Sequence, residues 1–161
     1  MSSSGWFTLL VLVVAAERLA ELVVARRNLA RARRLGAVEH GASHYPWMVA
    51  LHTGFLAAMV AEVWLLDPPW LPWLGWPMLG LVVAAQALRW WCITALGWRW
   101  NTRVVVVPGW PLVRRGPYRW FAHPNYVAVV VEGAALPLVH TAAYTAVTFT
   151  VLNAWLLHTR V

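Results

Sequence analysis

Between residues 6 and 157 the chain is a succession of apolar runs, each near the length that crosses a bilayer, divided by two arginine-rich segments. A hydrocarbon core takes about 17 to 25 apolar residues in helical form. Backbone groups inside it find no water to bond with, so such runs must be helical. With 61% hydrophobic and only 12% charged residues, the composition lies far from that of a soluble domain, where about a quarter of the residues are charged. The sequence predicts an all-α integral membrane protein, a single polytopic domain over residues 1–161.

Residues 6–25 form a first helix, in which Glu17 and Glu21 stand four apart on one face with Arg18 beside them. That face should point at protein and avoid lipid. No basic segment precedes the run and no small-residue cleavage pattern follows it, so it reads as a retained helix and not a signal peptide. Arg26, Arg27, Arg31, Arg33 and Arg34 follow, ending at Gly36. By the positive-inside tendency they are cytoplasmic, which leaves the N-terminus outside.

Residues 46–66 form a second helix, carrying His52 and Glu62 and stopped by Asp67-Pro68-Pro69. Residues 70–77, rich in Trp and Pro, read as an outer interfacial loop, and residues 78–96 as a third helix. Residues 97–125 form a polar cytoplasmic loop with Arg99, Arg103, Arg114, Arg115 and Arg119, and a β-prone run at 104–107. Residues 126–139, short and holding Pro137, pair with residues 141–157 as a C-terminal helical hairpin. About five transmembrane helices put both arginine clusters and Arg160 on one side. The expectation is a multi-pass protein of the plasma (inner) membrane with its polar loop in the cytoplasm.

The net charge of +7 comes entirely from arginine. Because the arginines fall in inter-helix segments and form no soluble basic face, they orient the chain in an anionic membrane and imply no nucleic acid. Membrane lipids are the expected surroundings, and no obligate protein partner is evident. Cys92 is the sole cysteine, which excludes an internal disulfide and a cysteine-rich metal site. His40 and His44 have a helical ligand spacing, but Gly41 and Pro46 argue for a loop and no third ligand is clear, so no metal is assigned.

The polar chemistry is concentrated in residues 114–126, followed by Glu132 inside an apolar run. An ionisable group there is costly and marks a site. Gly116-Pro117 makes a tight turn, and Tyr118, Trp120, Phe121 and Tyr126 offer aromatic faces that suit an adenine ring or a sulfonium cation. Pro124 keeps His123 out of the α region, so the backbone aims its ring. Asn125 both donates and accepts, and Glu132 lies about two helical turns deeper. Alternatively, Asn125 is a helix N-cap and the aromatics are a belt. That simpler reading gives Glu132 nothing to do.

Leu112-Val113, Gly116-Pro117-Tyr118, Trp120-Phe121 and His123-Pro124-Asn125-Tyr126 resemble the signature of the isoprenylcysteine carboxyl methyltransferase family. Gly36, Ala37, Val38 and Glu39 resemble its small bacterial branch, which includes alkylpyrone methyltransferases. The resemblance implies S-adenosylmethionine as cofactor, contacted by Trp110, Pro111, Leu112, Val113, Tyr118, His123, Pro124, Asn125 and Tyr126, with Glu132 able to accept from a ribose or amino group. Trp110 stands where a His is common in the family, and Ala122 where an Arg usually precedes the His-Pro pair. Arg160 matches the Arg of an Arg-x-x-x-Glu pattern whose Glu would fall beyond Val161, so a truncated C-terminus is an expectation.

The implied reaction moves a methyl group to a carboxylate or hydroxyl oxygen of a lipophilic prenyl, acyl or polyketide acceptor. For a carboxylate, Arg160 is the candidate cation. For a hydroxyl, His123 or Glu132 is the candidate base. Two other readings share some features. The His-Pro-Asn-Tyr element also resembles NADPH-dependent steroid and sterol reductases, and a non-enzymatic helical scaffold could bind anionic lipid headgroups through its arginines.

Overall fold

A computed structural model describes residues 2–40 and 45–158. Five helices dominate: α1 (Ser3–Arg34), α2 (Tyr45–Leu66), α3 (Pro72–Leu96), α4 (Pro124–Leu138) and α5 (Ala143–His158). Two three-residue strands, β1 (Val38–His40) and β2 (Val104–Val106), pair antiparallel with Val38 opposite Val106. The β-prone run is thus a strand, and its partner is the segment just after the first basic cluster.

α1 is longer than expected. Ser2 caps it by accepting from Gly5 N at 3.1 Å, and it runs through the arginines because Ala, Arg and Leu are strong helix formers and neither Gly nor Pro intervenes. At 1.5 Å per residue it spans about 48 Å, well over a hydrocarbon core. Its C-terminus closes at Gly36 (φ 76°), where Ala37 N donates to Ala32 O and Gly36 N to Arg33 O. The first basic cluster is therefore a helical extension.

The expected loop over residues 70–77 is corrected as well. α3 starts at Pro72, a residue suited to a first helical position, and continues through Pro77 at the cost of one backbone bond. The aromatic anchoring survives on the helix, since Trp73 and Trp76 are largely exposed.

α4 packs between α3 and α5, and α5 also packs on α2. The C-terminal hairpin is as expected, with a turn through Thr141 (φ 60°), whose hydroxyl donates to Pro69 O at 2.9 Å. Glu62 of α2 caps the start of α5, accepting from Tyr144 N at 3.1 Å and Thr145 N at 2.7 Å. A carboxylate there satisfies orphan amides at the positive end of the helix dipole.

The core draws Phe7, Val11 and Val14 from α1, Phe55, Met59 and Val63 from α2, Val82 from α3, Leu136 from α4 and Phe149 from α5. Outward faces carry exposed Leu12, Trp64, Val83, Val147 and Trp155, while Arg89 and Glu132 are buried. Apolar outside and charge inside is the arrangement a bilayer selects. Among the described residues, two helices are long and apolar enough to cross a membrane, Tyr45–Leu66 and Pro72–Arg99.

Candidate functional site

The turn at Gly116 (φ 58°) is seated against α3. A Cβ at this glycine would lie 2.8 Å from Ala95 Cβ. Arg115 Nε donates to Ala95 O at 2.7 Å, placing a cation at the negative end of α3. Pro117 is fully buried behind the turn, and Tyr118 follows. Burial pushes the Tyr118 phenol well above its ordinary value, and the neighbouring Cys92 thiol adds to the shift. Tyr118 is thus a neutral donor at any physiological pH.

His123 has φ −132° and ψ 61° and is itself the N-cap of α4, with Pro124 as first helical residue. Asn125 lies inside the helix and is not its cap. The His123 ring stacks on Tyr126 with centroids 5.1 Å apart and planes 16° from parallel. Tyr118, His123, Asn125 and Tyr126 line one cavity of about 140 Å³ with Leu96, Trp100, Asn101 and Ala122. Asn125 Oδ1 is buried there without a hydrogen-bond partner. An unmade bond facing a cavity is what a ligand would complete.

Sequence reasoning missed Trp100 and Asn101. Both are held by α1: Asn28 Nδ2 donates to Trp100 O at 2.7 Å and Gly97 O at 3.3 Å, and Asn101 Nδ2 donates to Ala25 O at 3.3 Å. The β1–β2 ribbon reinforces the tie through Arg103, which donates to Glu39 at 2.5 Å and lies over the Tyr45 ring. That hydrogen bond holds the Glu39 carboxyl below its ordinary range. Ala25 and Asn28, three apart on one face of α1, carry the sequence signal for the Trp100 and Asn101 contacts alone.

Other expected contacts lie apart from this cavity. Trp110 and Leu112 are exposed, Leu112 at 85%, and Pro111 and Val113 also stand outside the lining. Arg99 organises their segment, donating to Pro111 O at 2.7 Å and lying between the Trp98 and Trp110 rings. Pro124 is buried as helix-start packing. Arg160 lies outside the described residues, as does His44, and the His40 side chain is likewise not described.

Glu132 belongs to a second, deeper cluster. Its Oε2 accepts from Arg18 Nη2 and from Arg89 Nη2, each at 2.7 Å. Arg18 Nη1 also donates to both oxygens of Glu21, and its Nη2 to Gln86 Oε1 at 2.7 Å. Gln86 and Trp90 in turn donate to Glu17. Glu17 and Glu21 thus face protein, as their spacing requires. Arg89 Nε is buried with no hydrogen bond, 3.6 Å from Glu21 Oε1.

A cavity of about 40 Å³ adjoins this cluster, lined by Arg18, Arg89, Glu132, Val129 and Gly133 with His52, Phe55, Leu56 and Phe149. Gly133 admits the Phe149 ring, because a Cβ there would stand 2.3 Å from Phe149 Cε1. The two cavities follow one face of α4, since Asn125, Val129 and Glu132 are spaced by four and three residues. Glu132 is about 10 Å deeper than Asn125 along the axis.

The chain is 40% identical over 156 residues to an uncharacterized protein, YpbQ, of Bacillus subtilis (strain 168), covering 96% of this chain and 92% of that relative. No solved structure matches it. The model of the isoprenylcysteine carboxyl methyltransferase (ICMT) family matches residues 78–161, which include most of the helix carrying Arg89, the aromatic turn and all of α4. On that match the chain belongs to the isoprenylcysteine carboxyl methyltransferase family, a family of membrane methyltransferases.

Proposed function

We propose that the protein is an S-adenosylmethionine-dependent methyltransferase that methylates a carboxylate or hydroxyl oxygen of a lipophilic acceptor drawn from the bilayer. The observation that carries this reading is the cavity walled by Tyr118, His123, Asn125 and Tyr126, with Asn125 Oδ1 buried and unpartnered in it. Stacked aromatic rings attract an adenine or a sulfonium, and Asn125 Oδ1 can accept from a ribose hydroxyl or an amino group. The cofactor supplies an electrophilic methyl group on cationic sulfur. This chain's own residues bind, orient and exclude water, which is most of what a displacement asks of an enzyme.

The orientation follows the arginines: N-terminus outside, aromatic cavity facing the cytoplasm, and five membrane-embedded helices of which α4 and α5 are a short hairpin. A prenyl, acyl or polyketide chain would enter between helices, while the nucleoside enters from the aqueous side. For a carboxylate acceptor, Arg160 remains the candidate cation. Among the described residues, the lining of the aromatic cavity contains no arginine. That favours a nucleoside sulfonium over NADPH, whose extra phosphate calls for arginine forks.

Calorimetry on detergent-purified protein tests the reading. S-adenosylhomocysteine should bind saturably and NADPH should not, and His123→Ala and Tyr126→Ala should each weaken the former several-fold. Undiminished binding in both variants would remove the cavity from the cofactor site.

A further inference from the structure

We propose that Arg31, Trp98, Arg99 and Trp110 form a docking site for the phosphate headgroup of an anionic phospholipid, and that this lipid holds residues 108–114 in the membrane interface. The inference is independent of the methyltransferase reading.

The acids of the chain leave these arginines without a counter-ion. The sequence holds six Asp and Glu residues. Glu17, Glu21 and Glu132 lie in the buried network, Glu62 caps α5, and Asp67 follows α2 at the opposite end. Glu39 is left at the arginine-rich end, and Arg33 and Arg103 already share it. Among the described residues, Arg31 and Arg99 have no carboxylate within ion-pair distance.

They stack on indoles instead. The guanidinium carbon of Arg31 lies 5.1 Å from the Trp98 ring centre, and that of Arg99 lies 5.6 Å from Trp98 and 4.8 Å from Trp110. The two indoles meet edge to face at 5.2 Å. Stacking occupies the face of a guanidinium and leaves its in-plane N–H edge, the edge that matches a phosphate. Arg99 gives one N–H to Pro111 O at 2.7 Å, which ties residues 108–114 to the assembly.

Depth identifies the partner. The Trp6 ring packs on Trp70 at 6.0 Å, near the exposed Trp73 and Trp76, an aromatic belt at the opposite end. From Trp6, α1 runs 22 residues to Asn28, about 33 Å, close to the thickness of a hydrocarbon core. Asn28 holds the carbonyls of Gly97 and Trp100, so Trp98 and Arg99 stand at its level. Arg31 is about 5 Å further on, inside a headgroup layer about 5 to 7 Å deep. Anionic lipids present phosphate there. Trp110, 49% exposed, and Leu112, 85% exposed, then meet an apolar boundary that water does not offer.

Leu112→Cys carrying an environment-sensitive fluorophore reads the docking, and the unsubstituted protein, whose Cys92 is buried, is the labelling blank. In phosphatidylcholine nanodiscs with rising phosphatidylglycerol, the label should shift to the blue and become quenchable by a headgroup-nitroxide lipid. Arg31→Gln, which removes the Trp98 stack, should need several-fold more phosphatidylglycerol for the same shift. Arg27→Gln removes the same charge from α1 outside the stack and should need little more. Inorganic phosphate added to pure phosphatidylcholine discs should leave the label in water. A label that never shifts, or one already shifted in pure phosphatidylcholine, would overturn the proposal. Equal weakening by Arg27→Gln and Arg31→Gln would overturn it in favour of diffuse attraction, and a shift with inorganic phosphate in favour of a free-anion site.

Discussion

Arg18 on α1 and Glu132 on α4, 114 residues apart, meet at 2.7 Å, and the same carboxylate oxygen holds Arg89 of α3. One acid therefore joins three helices. Their side chains are largely buried, at 19%, 8% and 8% exposure for Arg18, Glu132 and Arg89. Removing one partner of such a pair leaves buried charge uncompensated, a loss of about 3 to 5 kcal/mol. Glu132→Ala should lower the melting temperature in detergent sharply, and Glu132→Gln, which keeps an acceptor oxygen, should do so less. Equal melting of wild type and Glu132→Ala would show that the cluster contributes nothing to the fold.

Phe149 stacks on Phe55 with centroids 4.0 Å apart, and it does so because position 133 has no side chain. Gly133→Ala should overpack this contact and destabilise by about 1 to 3 kcal/mol. Phe149→Leu added to it should recover much of the loss, making the pair non-additive. The measurement is a double-mutant cycle of melting temperatures. Additivity would place the strain elsewhere.

Much of this was legible in the sequence, for identifiable reasons. The apolar runs and prolines give the five helices and their order, but α1 runs on past its expected end at residue 25 to Arg34, and α3 starts at Pro72, ahead of the expected residue 78. Tyr118, His123, Asn125 and Tyr126 come together because they lie within one turn and the helix it opens, so short-range geometry places them. Contacts across long separations were not legible. Nothing local in Trp100 or Asn101 announces Asn28 or Ala25, and the acids of α1 show only that some cation must face them. Trp110 and Leu112 point outward because Arg99 holds their segment away from the cavity, a choice made by one cation between two indole rings.

The β1–β2 ribbon should open in acid. Arg103 holds the Glu39 carboxyl below its ordinary value, so the folded ribbon binds this proton less readily than the unfolded chain does. Its stabilising contribution is complete above the unfolded value of about 4.3 and is lost as pH falls through the lowered folded value. Hydrogen exchange at the amides of Val38 and Val106 should accelerate over that range, and Glu39→Gln should exchange faster at neutral pH with little acid dependence. Identical profiles for wild type and Glu39→Gln would separate the ribbon from the ion pair.

Asn28 is predicted to control nucleoside affinity without touching the nucleoside. Its amide holds the carbonyl of Trp100, a residue that is 2% exposed and lines the aromatic cavity. Asn28→Ala removes that bond, worth about 1 kcal/mol, and releases one wall of the cavity from α1. If binding needs the wall in place, the dissociation constant for S-adenosylhomocysteine rises by up to about fivefold. Leu112→Ala supplies the contrast: its side chain belongs to the same long loop but points away at 85% exposure, so affinity should hold. Calorimetry on the two variants separates the possibilities. Weakening by Leu112→Ala but not by Asn28→Ala would mean that the outer segment folds over the ligand and that the α1 tie is not what shapes the cavity.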